Sequence, residues 1–228
     1  MPETPSARVA IVDYGMGNLF SVQRACEHVG LQVMISACAD EVLRADAVIL
    51  PGVGAFGDAM AELTRLGLVE VLRDVAASGK PLMGICLGMQ LFMTESHEFG
   101  WHKGLGLIEG EVVRFDAPRR GSQILKVPQV GWNRIFKAGQ DAWQASLLEG
   151  LQDGEFMYFV HSFYARPVDP SVVLATSRYG HIEFCSSLRR GNLFACQFHP
   201  ERSGAQGLRI YRSLASQLWR SLMEVPHG

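Results

Sequence analysis

The chain has 228 residues, 48% of them hydrophobic and 19% charged, with a formal net charge of −2. That is enough chain for one sizeable core, and its charge gives no electrostatic case for nucleic acid or an anionic membrane surface. Five cysteines, irregularly spaced and without a C-x-x-C, argue against a disulfide framework or a zinc site and fit a reducing cytoplasm.

The segment Met1 to Ser6 lacks the basic-then-apolar layout of a signal peptide, and no apolar run approaches membrane-spanning length. A soluble intracellular protein is expected, a single domain over 1–228 with a disordered tail at 1–7. Val9 to Val12 reads as a buried strand, followed by a loop over 13–18 and a helix from Leu19 to Val29 closed by Gly30. Leu31 to Ile35 and Ala47 to Leu50 read as the second and third strands. A helix is expected from about Asp58 to Ala77, then a strand from Pro81 to Ile85. Strands alternating with helices in this way predict an α/β fold, with parallel crossovers packed on both faces of a sheet. The second half changes character. Runs at 104–115, 128–133, 156–161, 172–177 and 182–185 alternate as antiparallel strands do, and extend the sheet. Arg119-Arg120 and Arg189-Arg190 read as solvated loop charges. A closing helix from Ala205 to Met223 spaces Leu208, Ile210, Tyr211, Leu214, Leu218 and Leu222 for a buried face.

The stretch from Lys80 to Phe92 carries the chemistry. A short apolar run bends through Gly84-Ile85-Cys86-Leu87-Gly88 and continues into residues that suit a helix. This is the pattern of a nucleophile elbow with cysteine in place of serine. A reactive side chain stands exposed on so sharp a turn only if its neighbours are small, as Gly84 and Gly88 are. A helix N-terminus at Cys86 also favours the thiolate. A cysteine nucleophile needs a base, and the base an orienting group. Gln197-Phe198-His199-Pro200-Glu201, after the strand-like Leu193 to Cys196, supplies both. If extended, that segment turns His199 and Glu201 to one side. In open sheets of this class ligands sit at the carboxyl ends of the strands, where Cys86 and Gly52-Val53-Gly54 both fall. Backbone N–H groups of Val53 or Gly54, with that of Leu87, then suit an oxyanion hole. Gly15-Met16-Gly17 invites a dinucleotide reading, but the third glycine of that fingerprint would fall at Phe20, and no cofactor or metal is expected.

Gly84 to Gln90 together with Gln197 to Glu201 resembles the triad-type (class I) glutamine amidotransferases. Asp13 to Leu19, Pro51 to Phe56, Gly104 to Gly110, Gly131-Trp132-Asn133 and Tyr158 to Tyr164 narrow the resemblance to members that serve histidine biosynthesis. It implies a glutaminase that forms a heterodimer with a (β/α)₈ cyclase subunit and passes ammonia to it through an internal passage. Cys86 would attack the glutamine carboxamide, His199 would shuttle the proton and Glu201 would orient His199. Gly52, Val53 and Leu87 would form the oxyanion hole, with the Gly52-Val53 peptide flipping to complete it when the cyclase is loaded. Gln90 and Glu98 would hold the substrate's amino-acid end, Glu98 by pairing with the α-ammonium. The backbone of Ser162 and Phe163 would help with the α-carboxylate. Asn18 and Trp132 would face the cyclase. From the residues alone, Glu98 equally suits a solvated helix end, and Trp132 a core aromatic.

One residue departs from the family pattern. Relatives usually carry histidine at the position of Gln129. A paralogue feeding ammonia to another acceptor enzyme, or a γ-glutamyl hydrolase-like cysteine hydrolase, are the alternatives that share the elbow.

Overall fold

The computed structural model describes residues 7–224. Of the tail expected at 1–7, residues 1–6 lie outside the described residues. Ala7 departs from that expectation, because it is fully buried and its carbonyl accepts the Gln32 N–H at 3.0 Å.

The first half alternates strands and helices: β1 (Arg8–Val12), α1 (Leu19–His28), β2 (Gln32–Ser36), α2 (Ala39–Arg44), β3 (Ala47–Gly52), α3 (Phe56–Arg65), α4 (Leu68–Ala77), β4 (Leu82–Cys86) and α5 (Leu87–Leu91). The single helix expected from 58 to 77 is two. Gly67 takes φ +70°, a left-handed conformation that ends one helix and starts the next. Each half then presents its own apolar stripe, Phe56, Ala59 and Leu63 on α3 and Leu68, Val71, Leu72 and Val75 on α4. Helix α2 was not expected. It is six residues long and buries only Val42, too little for periodicity to mark it.

The second half holds β5 (Met93–Ser96), β6 (His102–Lys103), β7 (Ile108–Arg114), β8 (Arg119–Arg120), β9 (Gln123–Ile124), β10 (Gln129–Lys137), β11 (Glu155–His161), β12 (Phe163–Pro167), β13 (Val173–Tyr179), β14 (Ile182–Arg190), β15 (Leu193–Cys196) and α6 (Gly204–Glu224). The main sheet has nine strands in the order β11-β10-β13-β14-β15-β4-β3-β1-β2. It is parallel from β15 to β2 and antiparallel from β11 to β15. The expected antiparallel extension is therefore present, but not all of the later strands join it. β12, β7, β5 and β6 form a second, four-stranded sheet, and β8 pairs only with β9. Arg189 and Arg190 end β14 rather than lying in a loop, and Arg189 donates to the Ala145 carbonyl at 2.5 Å.

Alternation along the parallel strands explains the layering. Val9 and Ile11 of β1 face a core shared with α1 and α6, while Ala10 and Val12 face one shared with α2, α3, α4 and the second sheet. β3 divides in the same way, with Ile49 on the first side and Val48 and Leu50 on the second. Strands covered on both faces read as continuous apolar runs, and their carboxyl ends open on one edge of the molecule.

Candidate active site

Cys86 ends β4 with φ 55° and ψ −107°, a conformation that a residue with a Cβ rarely adopts. Its neighbours explain how the chain holds that turn. A Cβ at Gly88 would lie 1.8 Å from the Leu50 carbonyl oxygen, and one at Gly84 would lie 2.9 Å from the Gly88 backbone. Only glycine at both positions lets α5 turn back so closely over β3 and β4. That helix is shorter than its sequence suggests. The Leu91 and Phe92 carbonyls accept the N–H groups of Leu105 and Ile108, and the chain enters β5 directly.

β15 lies parallel to β4 with Cys196 opposite Ile85, which carries residues 197–201 past Cys86. The segment is not extended, as the sequence reading had it. Pro200 to Arg202 form a 3₁₀ turn, with Arg202 N–H bonded to the His199 carbonyl at 3.0 Å and Ser203 N–H to that of Pro200 at 3.1 Å. Proline has no N–H to lose at the start of such a turn. The turn still joins the two side chains: His199 Nδ1 and Glu201 Oε1 are 2.8 Å apart, with side chains 4% and 1% exposed. A carboxylate on Nδ1 fixes that nitrogen as the donor and leaves Nε2 to exchange protons. Burial alone would lower the His199 pKa, but the Cys86 thiolate and Glu201 beside it raise it to about 10. Nε2 itself has no hydrogen-bond partner among the described residues, and the rise comes from the charge of Cys86 beside it and from the hydrogen bond and charge of Glu201.

The sulfur has a second neighbour that the sequence reading passed over. Gln197 Nε2 donates to Cys86 Sγ at 3.6 Å, and its Oε1 accepts from Gln90 Nε2 at 3.0 Å. Gln90 Nε2 also donates to the Phe163 carbonyl at 2.9 Å, so two buried amides fix the sulfur from below. Gln197 was legible, since it lies two residues before His199 in the same motif.

A cavity of about 250 Å³ opens over Cys86, lined by Val53, Gly54, Leu87, Gln90, Glu98, Ser162 and Phe163 along with Pro128, Val160 and His161. Gly52 is not on its wall but beneath it. A Cβ there would meet the Tyr14 hydroxyl at 2.3 Å and Leu87 Cβ at 2.9 Å. Tyr14, also overlooked in the sequence, donates to the Pro51 carbonyl at 2.9 Å and steadies the strand end before Gly52. Glu98 follows β5 in a turn rather than ending a helix. It is 9% exposed and accepts the Phe56 N–H at 2.7 Å, at the start of α3. Burial raises its carboxyl pKa, partly offset by the Phe56 N–H and His102.

His161 is the third residue sequence reasoning missed. Its Nδ1 bonds the Phe163 carbonyl at 2.8 Å, its Nε2 has no partner among the described residues, and burial pushes its pKa down to about 4. Gln129 sits opposite His161 in the β10–β11 register, itself buried. Asn18 and Trp132 lie away from the cavity. Asn18 is half-buried at the start of α1 and makes no side-chain capping bond. Trp132 is 57% exposed and meets Tyr158 edge-on at 6.0 Å, which removes the core-aromatic reading. Glu95, His97 and Glu111 have metal-compatible spacing on the second sheet. Trp101 Nε1 already donates to Glu95 at 2.7 Å, and Arg166 pairs with Glu111.

Comparison with known proteins agrees with this geometry. Residues 10–214 match the model of the family "Glutamine amidotransferase class-I". The chain is 48% identical over 208 residues to "Imidazole glycerol phosphate synthase subunit HisH" of Rhodopirellula baltica, covering 91% of this chain and 97% of that one. It is 49% identical over 207 residues to the protein of the same name from Syntrophotalea carbinolica, covering 90% and 98%. Among solved structures it resembles PurLQS from Thermotoga maritima, with a TM-score of 0.72, 21% identity and coverage of 93% of this chain and 99% of that one. A putative GMP synthase protein from Thermoplasma acidophilum aligns with a TM-score of 0.69 at 18% identity, covering 98% of each chain. On these matches the chain belongs to the class-I glutamine amidotransferases, in the family of the imidazole glycerol phosphate synthase subunits HisH.

Proposed function

We propose that this chain is the glutaminase subunit of an imidazole glycerol phosphate synthase and supplies ammonia to a (β/α)₈ cyclase subunit for histidine biosynthesis. The observation that carries the reading is a strained Cys86 elbow that lines a cavity of about 250 Å³ and lies beside a buried His199–Glu201 pair. A cavity of that size suits an amino acid rather than a larger ligand.

Glutamine enters with its carboxamide over Cys86 and its amino-acid end against Gln90, Glu98 and the backbone of Ser162 and Phe163. The thiol proton passes to His199 Nε2, and the sulfur attacks the carboxamide carbon. The oxyanion is met by N–H groups of Val53 and Leu87. His199 then gives its proton to the departing nitrogen, and ammonia leaves a thioester on Cys86. Water attacks the thioester, its proton going to His199, and glutamate is released as the proton returns to the sulfur. Glu201 holds the imidazole throughout. The raised His199 pKa supports His199 as the group that accepts the thiol proton. Tyr14 pins the Pro51 carbonyl, so a peptide flip that completes the oxyanion hole is confined to Gly52 and Val53.

We read the chain as one domain and as one half of a heterodimer, with Asn18 and Trp132 toward the cyclase and ammonia moving between the subunits. A large exposed tryptophan on β10, packed against Tyr158 of β11, supports that docking side. A cytoplasmic location fits the five free cysteines, and no helix among the described residues is long and apolar enough to cross a membrane. The test is glutaminase activity of the purified chain with and without the host cyclase and its nucleotide ligand. Strong stimulation that is lost in Cys86→Ala is expected. A folded protein that the cyclase leaves unchanged refutes the histidine-pathway assignment and directs the search to another ammonia acceptor.

A further inference from the structure

Behind the proposed triad, two buried polar atoms lack a hydrogen-bond partner among the described residues: Oε2 of Glu201 and the hydroxyl of Tyr211. A carboxylate sealed from water with one oxygen unpaired is costly, and native proteins rarely leave one so. The unpaired oxygen belongs to the group that orients His199. Cys196 nearby turns its sulfur to the Phe198 carbonyl at 3.4 Å, and Glu201 Oε1 is taken by His199.

Helix α6 brings the tyrosine to this place. Gly207 packs so closely on the 3₁₀ turn that a Cβ there would lie 1.9 Å from the Pro200 carbonyl oxygen, and its N–H bonds the Ser203 carbonyl at 3.2 Å. Tyr211 is four residues on, one turn along the same helical face. Side chains on a helix lean toward its N-terminus, so Tyr211 leans back toward Gly207 and the turn that carries Glu201. Tyr211 is fully buried, and the Glu201 charge is felt at its hydroxyl, where after burial it is the next contribution holding the pKa well above the ordinary value. The hydroxyl therefore keeps its proton and remains a donor at every working pH.

We propose that Tyr211 is a positioning residue, whose hydroxyl serves as donor to Oε2 of Glu201 through one bound water and so holds the carboxylate against His199. The inference rests on the triad reading given above. It assigns no contact between Tyr211 and substrate, and acts only through Glu201.

The test reads Cys86 itself. The folded chain is alkylated with iodoacetamide at pH 7, and the Cys86 peptide is followed by mass spectrometry in wild type, Tyr211→Phe, Glu201→Gln, the double variant and His199→Ala. Phenylalanine keeps the ring and its packing, so the fold is retained. Tyr211→Phe is expected to slow Cys86 alkylation about fivefold, to have no further effect in the Glu201→Gln background, and to lower Tm by about 3 °C. Any one of three results overturns the proposal: an unchanged rate, the same factor in both backgrounds, or a raised Tm, which is the mark of a hydroxyl that had no partner to lose. If His199→Ala and Glu201→Gln themselves leave Cys86 as reactive as in wild type, the triad reading fails and the role of Tyr211 with it.

Discussion

His161 gives the protein an acid limit that its composition does not reveal. Burial holds the folded-state pKa near 4, whereas the same side chain in the unfolded chain protonates near 6.5. Above pH 6.5 both states are neutral and the residue costs nothing. As pH falls from 6.5 toward 4 the unfolded chain takes up a proton that the folded one refuses, and stability is lost. Over that whole interval the loss is about 3 kcal/mol, most of it complete by pH 4.5. Urea unfolding at pH 7.5 and pH 4.5 measures it, in wild type and in His161→Asn. Asparagine keeps a donor for the Phe163 carbonyl but has no proton to gain. Wild type should lose about 2 to 3 kcal/mol more than the variant between the two pH values, and other titrating groups cancel in the comparison. Equal losses would mean that His161 is protonated without cost in the fold, and that the cavity wall is wetter than its burial indicates.

Two further outcomes follow from the geometry of the elbow and the cavity. Gly88→Ala forces a Cβ against the Leu50 carbonyl, a backbone atom that cannot step aside, and should lower Tm by about 10 °C in a thermal melt. Gly139→Ala, where the added carbon meets nothing within 4 Å, serves as the matched control, and equal melting of the two would contradict the packing. Glu98→Gln keeps an acceptor for the Phe56 N–H but removes the charge proposed to meet the substrate's α-ammonium. Its KM for glutamine should rise about 30-fold with kcat little changed. An unchanged KM would leave Glu98 as a cap of α3 only.

Much of this was legible because the elements around the site are local. The run before Cys86 and the glycines at 84 and 88 specify a strand, a turn and a helix within a dozen residues, and steric contact with Leu50 shows why no other side chain serves. His199 and Glu201 were paired correctly on a wrong picture, an extended segment instead of the 3₁₀ turn that Pro200 starts. The division of the later strands between two sheets was not legible. Both β7 and β10 alternate, and only long-range pairing, β7 with β12 and β10 with β11, decides which sheet each joins. The contacts of Gln197, Tyr14 and His161 were missed for a similar reason, although Gln197 itself stands in the His199 motif. Their roles lie in contacts with Cys86, Pro51 and Phe163, of which only the last is near in sequence, and local pattern marks them as ordinary strand or loop residues.

The site is built from two halves of one sheet, and the difference between them bears on control. Cys86 and the strand leading to His199 belong to parallel strands buried on both faces, and no partner reaches them except through the rest of the molecule. The cavity's far wall instead runs from the end of β11 (Val160 and His161), the edge strand of the antiparallel half, into Ser162 and Phe163 at the start of β12. There the exposed ring of Trp132 packs edge-on against Tyr158, and the Tyr158 carbonyl accepts the His199 N–H at 2.9 Å. Ser203 Oγ bonds both the Tyr158 N–H at 3.0 Å and the His199 carbonyl at 2.6 Å, so β11 and the turn after His199 are tied at two points. A partner protein seated on Trp132, as proposed above, would bear on a residue that is hydrogen-bonded to His199, while the strained elbow opposite is held by its glycines. In the proposed mechanism, regulation that moves the wall and His199 relative to Cys86 needs no change in the parallel core.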